Sequence, residues 1–154
     1  MDFSLEEPRL VDLGKSMLLY DQPVVGLGFL ATIRKDGGPR LHPVSLVFYN
    51  EHLYIFIPSS SPKCADLLRD NRYALQAFPP SENPDGKEFY LSGNAIHVSD
   101  PSIRSRLISE LGIHVDEIEL LFELYLDRAM YTVLVNRGTP DERPWHQIWR
   151  ASSR

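Results

Sequence analysis

The fold is decided by Phe29-Leu-Ala-Thr-Ile-Arg34, Lys35-Asp-Gly-Gly38, Pro39-Arg-Leu-His-Pro-Val-Ser-Leu-Val-Phe-Tyr49, Asn50-Glu-His52, Leu53-Tyr-Ile-Phe-Ile57 and Pro58-Ser-Ser-Ser-Pro-Lys63. This run predicts strand, turn, long strand, turn, strand, and a serine loop closing on a lysine at the start of a helix that ends near Asn71. Asp36-Gly37-Gly38 supplies the positive φ angles of a hairpin turn between β-branched and aromatic runs. The long strand carries Pro43 in its middle. A proline has no N–H to give to a sheet ladder, so this position predicts an edge or a bulge, as where a sheet bends to close a small barrel.

Pro62 suits the first helical position and Ser61 the cap, which puts Lys63 in the first turn. A helix N-terminus carries roughly half a positive charge and several unpaired N–H groups, so a lysine there stands against the field. Two readings stay open. One is a serine-capped helix whose lysine points into water; the other is an anion site in which Lys63 and the hydroxyls of Ser59, Ser60 and Ser61 hold a phosphate.

Outward from this run, residues 5–20 place Leu10, Leu13, Met17 and Leu18 at helical spacing, weakened by Gly14, and predict a helix covering one barrel opening or one sheet face. Residues 22–28 predict a connector, 73–78 a fourth strand and 88–98 a fifth, in which Gly93 marks a bulge or a close approach of backbones. Ser99-Asp100-Pro101 opens a helix over 102–111 that Gly112 stops. Ile118, Leu121 and Phe122 give 116–124 a helical spacing, 128–135 alternates as a strand, and 145–151 forms the last strand. These elements predict an α+β fold: an antiparallel, closed or nearly closed barrel of about six to seven strands with a few short covering helices. A sandwich shares the same pattern.

At 154 residues the chain suits one well-buried domain over 1–154, and 43% hydrophobic with 24% charged residues is the composition of a globular protein. A formal net charge of −5 argues against a general nucleic-acid binder, which needs a cationic surface. The one cysteine excludes an intrachain disulfide. The most apolar run, 24–33, is too short to span a bilayer, and the acidic start is unlike a signal peptide, so the expectation is a cytoplasmic protein without membrane contact.

None of the five histidines stands at metal-ligand spacing with another, so no structural metal is expected. There is no Gly-x-Ser-x-Gly elbow, and Ser59 to Ser61 have no neighbouring histidine. Cys64 reads as a small packed residue or as a thiol activated by a helix start. Trp149 reads as core, while Trp145 fits either core or a subunit contact.

The ordered set Phe29 to Phe48, Leu-Tyr-Ile-Phe-Ile, Ser-Ser-Pro-Lys-Cys-Ala-Asp-Leu-Leu-Arg-Asp-Asn and Tyr-Ala-Leu resembles the pyridoxamine 5'-phosphate oxidase-like flavoproteins over about residues 28–98. The resemblance implies a split β-barrel, a homodimer, and FMN in a groove between the subunits. It further implies that His42, Pro43, Val44, Ser45 and Leu46 lie along the flavin ring and ribityl chain, that Phe56 and Ile57 continue that wall, and that Ser61 and Lys63 hold the phosphate. Glu88 and Trp145 complete the expected cofactor set. The vitamin-making members have an arginine at the place of His42, another at Pro62, and a glutamine at Glu88. They end in Arg-x-His, where this chain has Arg143-Pro-Trp-His146. The implied function is therefore a flavin-dependent oxidoreductase acting on another small molecule, with His42 and His146 as candidate acids. The alternative is a module that stores or senses a flavin, a deazaflavin coenzyme or haem in the same groove.

Overall fold

β1 (Val25–Ile33) and β2 (Pro39–Tyr49) pair antiparallel without a break, from Val25 opposite Val47 to Ile33 opposite Pro39. Their turn follows from its sequence: Gly37 takes φ +83°, and the Gly38 N–H donates to Asp36 Oδ1 at 3.0 Å. Strand alternation then sends Leu30, Val44 and Leu46 inward and leaves Leu27, Leu41 and Ser45 exposed. The structure, a computed structural model, describes residues 8–19, 25–79 and 82–152.

After the left-handed pair Asn50 and Glu51 come β3 (His52–Pro58), a helix at Pro62–Arg69, β4 (Arg72–Ala77), β5 (Glu88–His97), a helix at Pro101–Leu111, β6 (Glu119–Val135) and β7 (Arg143–Arg150). With the N-terminal helix Pro8–Leu19 as α1, the two later helices are α2 and α3. The sheet order is β3-β2-β1-β4-β5-β6-β7, and a further β3–β6 pairing closes the first six strands into a barrel, with β7 outside it. The barrel reading therefore holds and the sandwich does not.

The expected helix over residues 116–124 is not formed. From Glu119 onward this segment is the first part of the 17-residue β6, pairing with β3 from Glu119 opposite Pro58 to Glu123 opposite Tyr54. Leu121 joins a small cluster with Val47, Tyr54 and Leu107 under α3, while Phe122 enters the barrel core. A strand covered on both faces loses its polar alternation, and its apolar residues can then imitate a helical period. Further along, β6 exchanges β3 for β7 on the same edge, while β5 stays paired along the other.

The expected connector is also corrected in part. Val25 to Gly28 belong to β1, and residues 22–24 lie outside the described residues. A Cβ on Gly26 would stand 1.8 Å from the Leu18 carbonyl oxygen, so this glycine allows a close approach and does not make a turn. Gly14 acts likewise: a Cβ there would lie 2.4 Å from the Phe89 ring, so the residue that weakens α1 also lets it settle on β5. Residues 5–7 and 20 of the expected first helix lie outside the described residues.

Gly93 shows both features expected of it. The β5–β6 register shifts between Ser92 and Gly93, and a Cβ would stand 1.9 Å from the Tyr125 carbonyl oxygen. α3 starts and stops as the sequence predicts, with Asp100 Oδ1 accepting the Ser102 N–H at 2.8 Å and Gly112 at φ +61°. Among the described residues no helix is long and apolar enough to cross a membrane.

Candidate functional site: the split between two strands

β2 pairs with β3 only through Val47, Phe48 and Tyr49. Over residues 39–46 its second edge faces no strand among the described residues. Pro43 sits in that open edge, and the β1 register runs past it without a shift, so its missing N–H is accommodated by an edge and not by a bulge.

α2 crosses this split and is tied to the β1–β2 hairpin by a buried carboxylate. Asp66, 2% exposed, accepts from Thr32 Oγ1 at 2.9 Å, Arg40 Nε at 2.6 Å and Arg69 Nη2 at 3.2 Å. Arg69 also donates to the Ile33 carbonyl. Burial alone would raise the Asp66 pKa, but the hydrogen bonds from Arg40, Thr32 and Arg69 outweigh it and hold the carboxyl below its ordinary value. The sequence reading missed Asp66 and Arg40. The available signal was one acid amid Cys64 and Leu67 on the apolar side of a short helix, since an unpaired carboxylate is not buried there.

At the other end of α2, Ser61 caps the helix without a side-chain hydrogen bond, Pro62 fills the first turn, and no acidic residue occupies that turn. Lys63 is half-buried and enters none of the ion pairs formed among the described residues. The Ser59 N–H donates to the Ile118 carbonyl at 2.9 Å, which fastens the serine loop to the approach of β6. Cys64 is fully buried, and desolvation raises its thiol pKa, opposite to what a nucleophile needs.

The other expected residues divide by face. Pro43 and Ser45 are exposed on the outer side of β2; Val44, Leu46 and Ile57 are buried in the barrel core and can meet a ligand only through their backbone. His42 shares their inward face, opposite Leu30, and is half-buried. Phe56 packs with the α3 cluster, and the Arg104 guanidinium stands 5.3 Å from its ring centroid. Glu88 and Trp145 lie on the β5–β6–β7 side of the sheet. There Glu88 is opposite Thr132, whose hydroxyl contacts His146 Nδ1 at 2.8 Å. Trp145 is exposed and Trp149 buried.

A cavity of about 1130 Å³ lies elsewhere, between α1 and one end of the barrel, bordered by Val11, Leu18, Leu91 and Trp149. Its polar rim is largely self-satisfied, by His52 with Glu123, Lys15 with Glu51 and Asn94 with Asp127. None of the expected cofactor residues borders it.

No family model matches the sequence, and no curated protein matches it. Solved structures do resemble it. A haem-binding protein from Mycobacterium smegmatis aligns with TM-score 0.60 and 15% identity over 86% of this chain, which spans 56% of that protein's length. An F420 reductase aligns with TM-score 0.54 and 18% identity, over 73% of this chain and 91% of the other. PhzG from Burkholderia lata 383, in complex with tetrahydrophenazine-1-carboxylic acid, gives TM-score 0.61 and 11% identity, over 97% and 86%. Identities this low speak to architecture alone. With the closed six-strand barrel, the appended seventh strand and the split bridged by α2, they establish that the chain has the pyridoxamine 5'-phosphate oxidase-like split-barrel fold.

Proposed function

We propose that the chain is an FMN-binding oxidoreductase for a small molecule, with the cofactor groove along the open edge of β2 and completed by a second copy of the chain. The observation that carries this reading is the start of α2, where a cap serine without a side-chain capping hydrogen bond and a lysine without a carboxylate partner among the described residues stand at a helix N-terminus. A dianionic phosphate supplies the missing acceptor for both. Beside it, the unpaired backbone of residues 39–46 offers polar groups to a flat, hydrogen-bonding ring.

The outer sheet face supports the second copy. Leu41 is 63% and Leu27 43% exposed, and Phe29 stacks on Phe78 with ring centroids 4.2 Å apart. Exposed apolar side chains on one sheet face suit an interface or a ligand surface. FMN, when bound, supplies hydride or electron transfer; the protein's part is to hold the phosphate with Ser61 and Lys63, orient the ring along β2 and exclude water.

Non-catalytic binding or storage of a flavin, a deazaflavin or haem is the second reading. It is favoured by the composition of the expected β2–β3 wall, where Pro43, Val44, Ser45, Leu46, Phe56 and Ile57 carry no acid or base and His42 is the one titratable side chain. An F420 reductase and a haem-binding protein among the fold neighbours make both alternatives chemically concrete.

The test is FMN and riboflavin titration of the chain and of Lys63→Ala. Loss of the phosphate contact is expected to cost about 2 kcal/mol, roughly 30-fold in FMN affinity, and to leave riboflavin affinity unchanged. Equal FMN affinity in both proteins removes the site. NADH or NADPH oxidation by the loaded protein then separates an enzyme from a store.

A further inference from the structure

We infer that Arg128 and Arg150, with Ser92 beside them, form a second anion-binding site, one that takes a carboxylate or phosphate group of a small molecule on the outer face of the β5–β6–β7 sheet. The register places the three residues in one line: Ser92 of β5 is opposite Arg128 of β6, and Arg128 is opposite Arg150 of β7. Directly opposed residues of antiparallel strands point to the same face, so two guanidinium groups and a hydroxyl are neighbours there.

Nothing in the described chain answers that charge. Neither arginine enters an ion pair among the described residues. The nearest carboxylate in sequence, Asp127, accepts from Asn94 Nδ2 at 3.1 Å. Arg128 Nη2 reaches only the thioether of Met130, at 3.8 Å, and Arg128 Nε is the one buried side-chain polar atom without a hydrogen-bond partner among the described residues.

Two facts make this arrangement unusual. Like charges directly opposite one another on a sheet repel, and a buried N–H without an acceptor is costly. Arginine is also the side chain whose planar fork matches the two oxygens of a carboxylate or phosphate. An oxyanion between the guanidinium groups removes the repulsion and supplies the missing acceptor together.

This site is separate from the start of α2. Ile118 meets the serine loop before α2, and Pro58, just ahead of that loop, is opposite Glu119. Arg128 lies nine residues beyond Glu119 along β6, roughly 30 Å of extended strand. One phosphate cannot engage both places. The inference therefore stands whether or not FMN binds at Lys63.

The experiment uses the full chain at constant ionic strength, titrated with inorganic phosphate, pyrophosphate and citrate, with chloride as control. Binding is followed by the arginine Nε–H signals in 15N spectra, the Arg128 signal being identified by its loss in Arg128→Gln. The expected result is a saturable shift of that signal with the oxyanions and none with chloride. Arg150→Gln should weaken binding at least tenfold and Ser92→Ala severalfold. Because Arg128→Gln could disturb folding, Arg150→Gln, an exposed change, carries the decision.

A signal that does not move, a response equal to that of chloride, or unchanged affinity in Arg150→Gln each overturns the inference. So does a variant that alters only the monomer–dimer distribution, since the pair would then meet a carboxylate of a second copy. FMN titration of the same variants keeps the two readings apart: loss of oxyanion binding with FMN affinity intact is the expected pattern. A chain that binds oxyanions here and takes up no FMN refutes the cofactor groove alone.

Discussion

Arg40 on β2 and Arg128 on β6 both rise from strands of the same barrel, yet among the described residues only Arg40 is matched by an opposite charge. Arg40 meets Asp66 at 2.6 Å, and that carboxylate also collects Thr32 and Arg69. Arg128 faces another arginine and a methionine sulfur. The difference separates two uses of a cation. A charge answered within the chain fixes one element to another, as α2 is fixed to the β1–β2 hairpin; under the proposed anion site, the other charge serves a ligand instead.

The largest effect is expected from Asp66→Ala, which strands Arg40 and leaves Thr32 without its acceptor. Removing one partner from a buried pair costs about 3–5 kcal/mol, readable from urea unfolding. A loss below about 1 kcal/mol would show the network to be incidental, since substitutions outside the core commonly cost that little.

Gly93→Ala comes next. Its Cβ meets a backbone oxygen that cannot swing aside, and overpacking of this kind costs about 1–3 kcal/mol. The same substitution should disturb the Arg128 environment while leaving the Asp66 network unchanged, because the shift in register lies beside Ser92. Spectral changes around Thr32 and Arg40 would contradict that separation.

A smaller difference appears with pH. The Asp66 carboxyl is depressed in the folded state, so its stabilisation is complete above the unfolded value of about 4 and is lost as pH falls through the lower folded value. Asp70, held at about 2 chiefly by its hydrogen bonds from Arg72, titrates in the same acid window. The useful quantity is therefore the gap between the chain and Asp66→Asn, which should be widest above pH 4 and narrow in acid. A gap that does not narrow would mean that Asp66 works through shape and not through charge.

The smallest effect concerns the other arginine pair. Arg150→Gln relieves a like-charge contact and should raise stability by about 0.2–1 kcal/mol at low salt, with the gain fading as salt screens it. A loss of stability at low salt would mean that Arg150 has a partner within the chain after all.

How much of this was legible follows from which forces act locally. The hairpin turn at Gly37, the cap at Asp100 and the stop at Gly112 were readable because a few adjacent residues determine each one. Pro43 and Gly93 were readable as irregularities, though the choice between edge and bulge at Pro43 needed the neighbouring strand. The first part of β6 was not readable, because its residues are buried on both faces and so lack polar alternation. Within the candidate site, Lys63 and Ser61 follow from helix-end chemistry. The side-chain directions of Val44, Phe56 and Ile57 depend on what covers each face of the sheet, which only the closed barrel and α3 reveal.

Among the described residues β7 has β6 on one side and no strand on the other. An unpaired ribbon of this length can template the addition of another chain, and hence fibrous aggregation. Pro144 withholds a donor near its start, and Arg143 and Arg150 place positive charge at its two ends. The charge that Arg150 places at this edge therefore has a second outcome, local protection of the ribbon against strand addition. Neutralising both ends of β7 together should produce a chain that folds and then slowly precipitates.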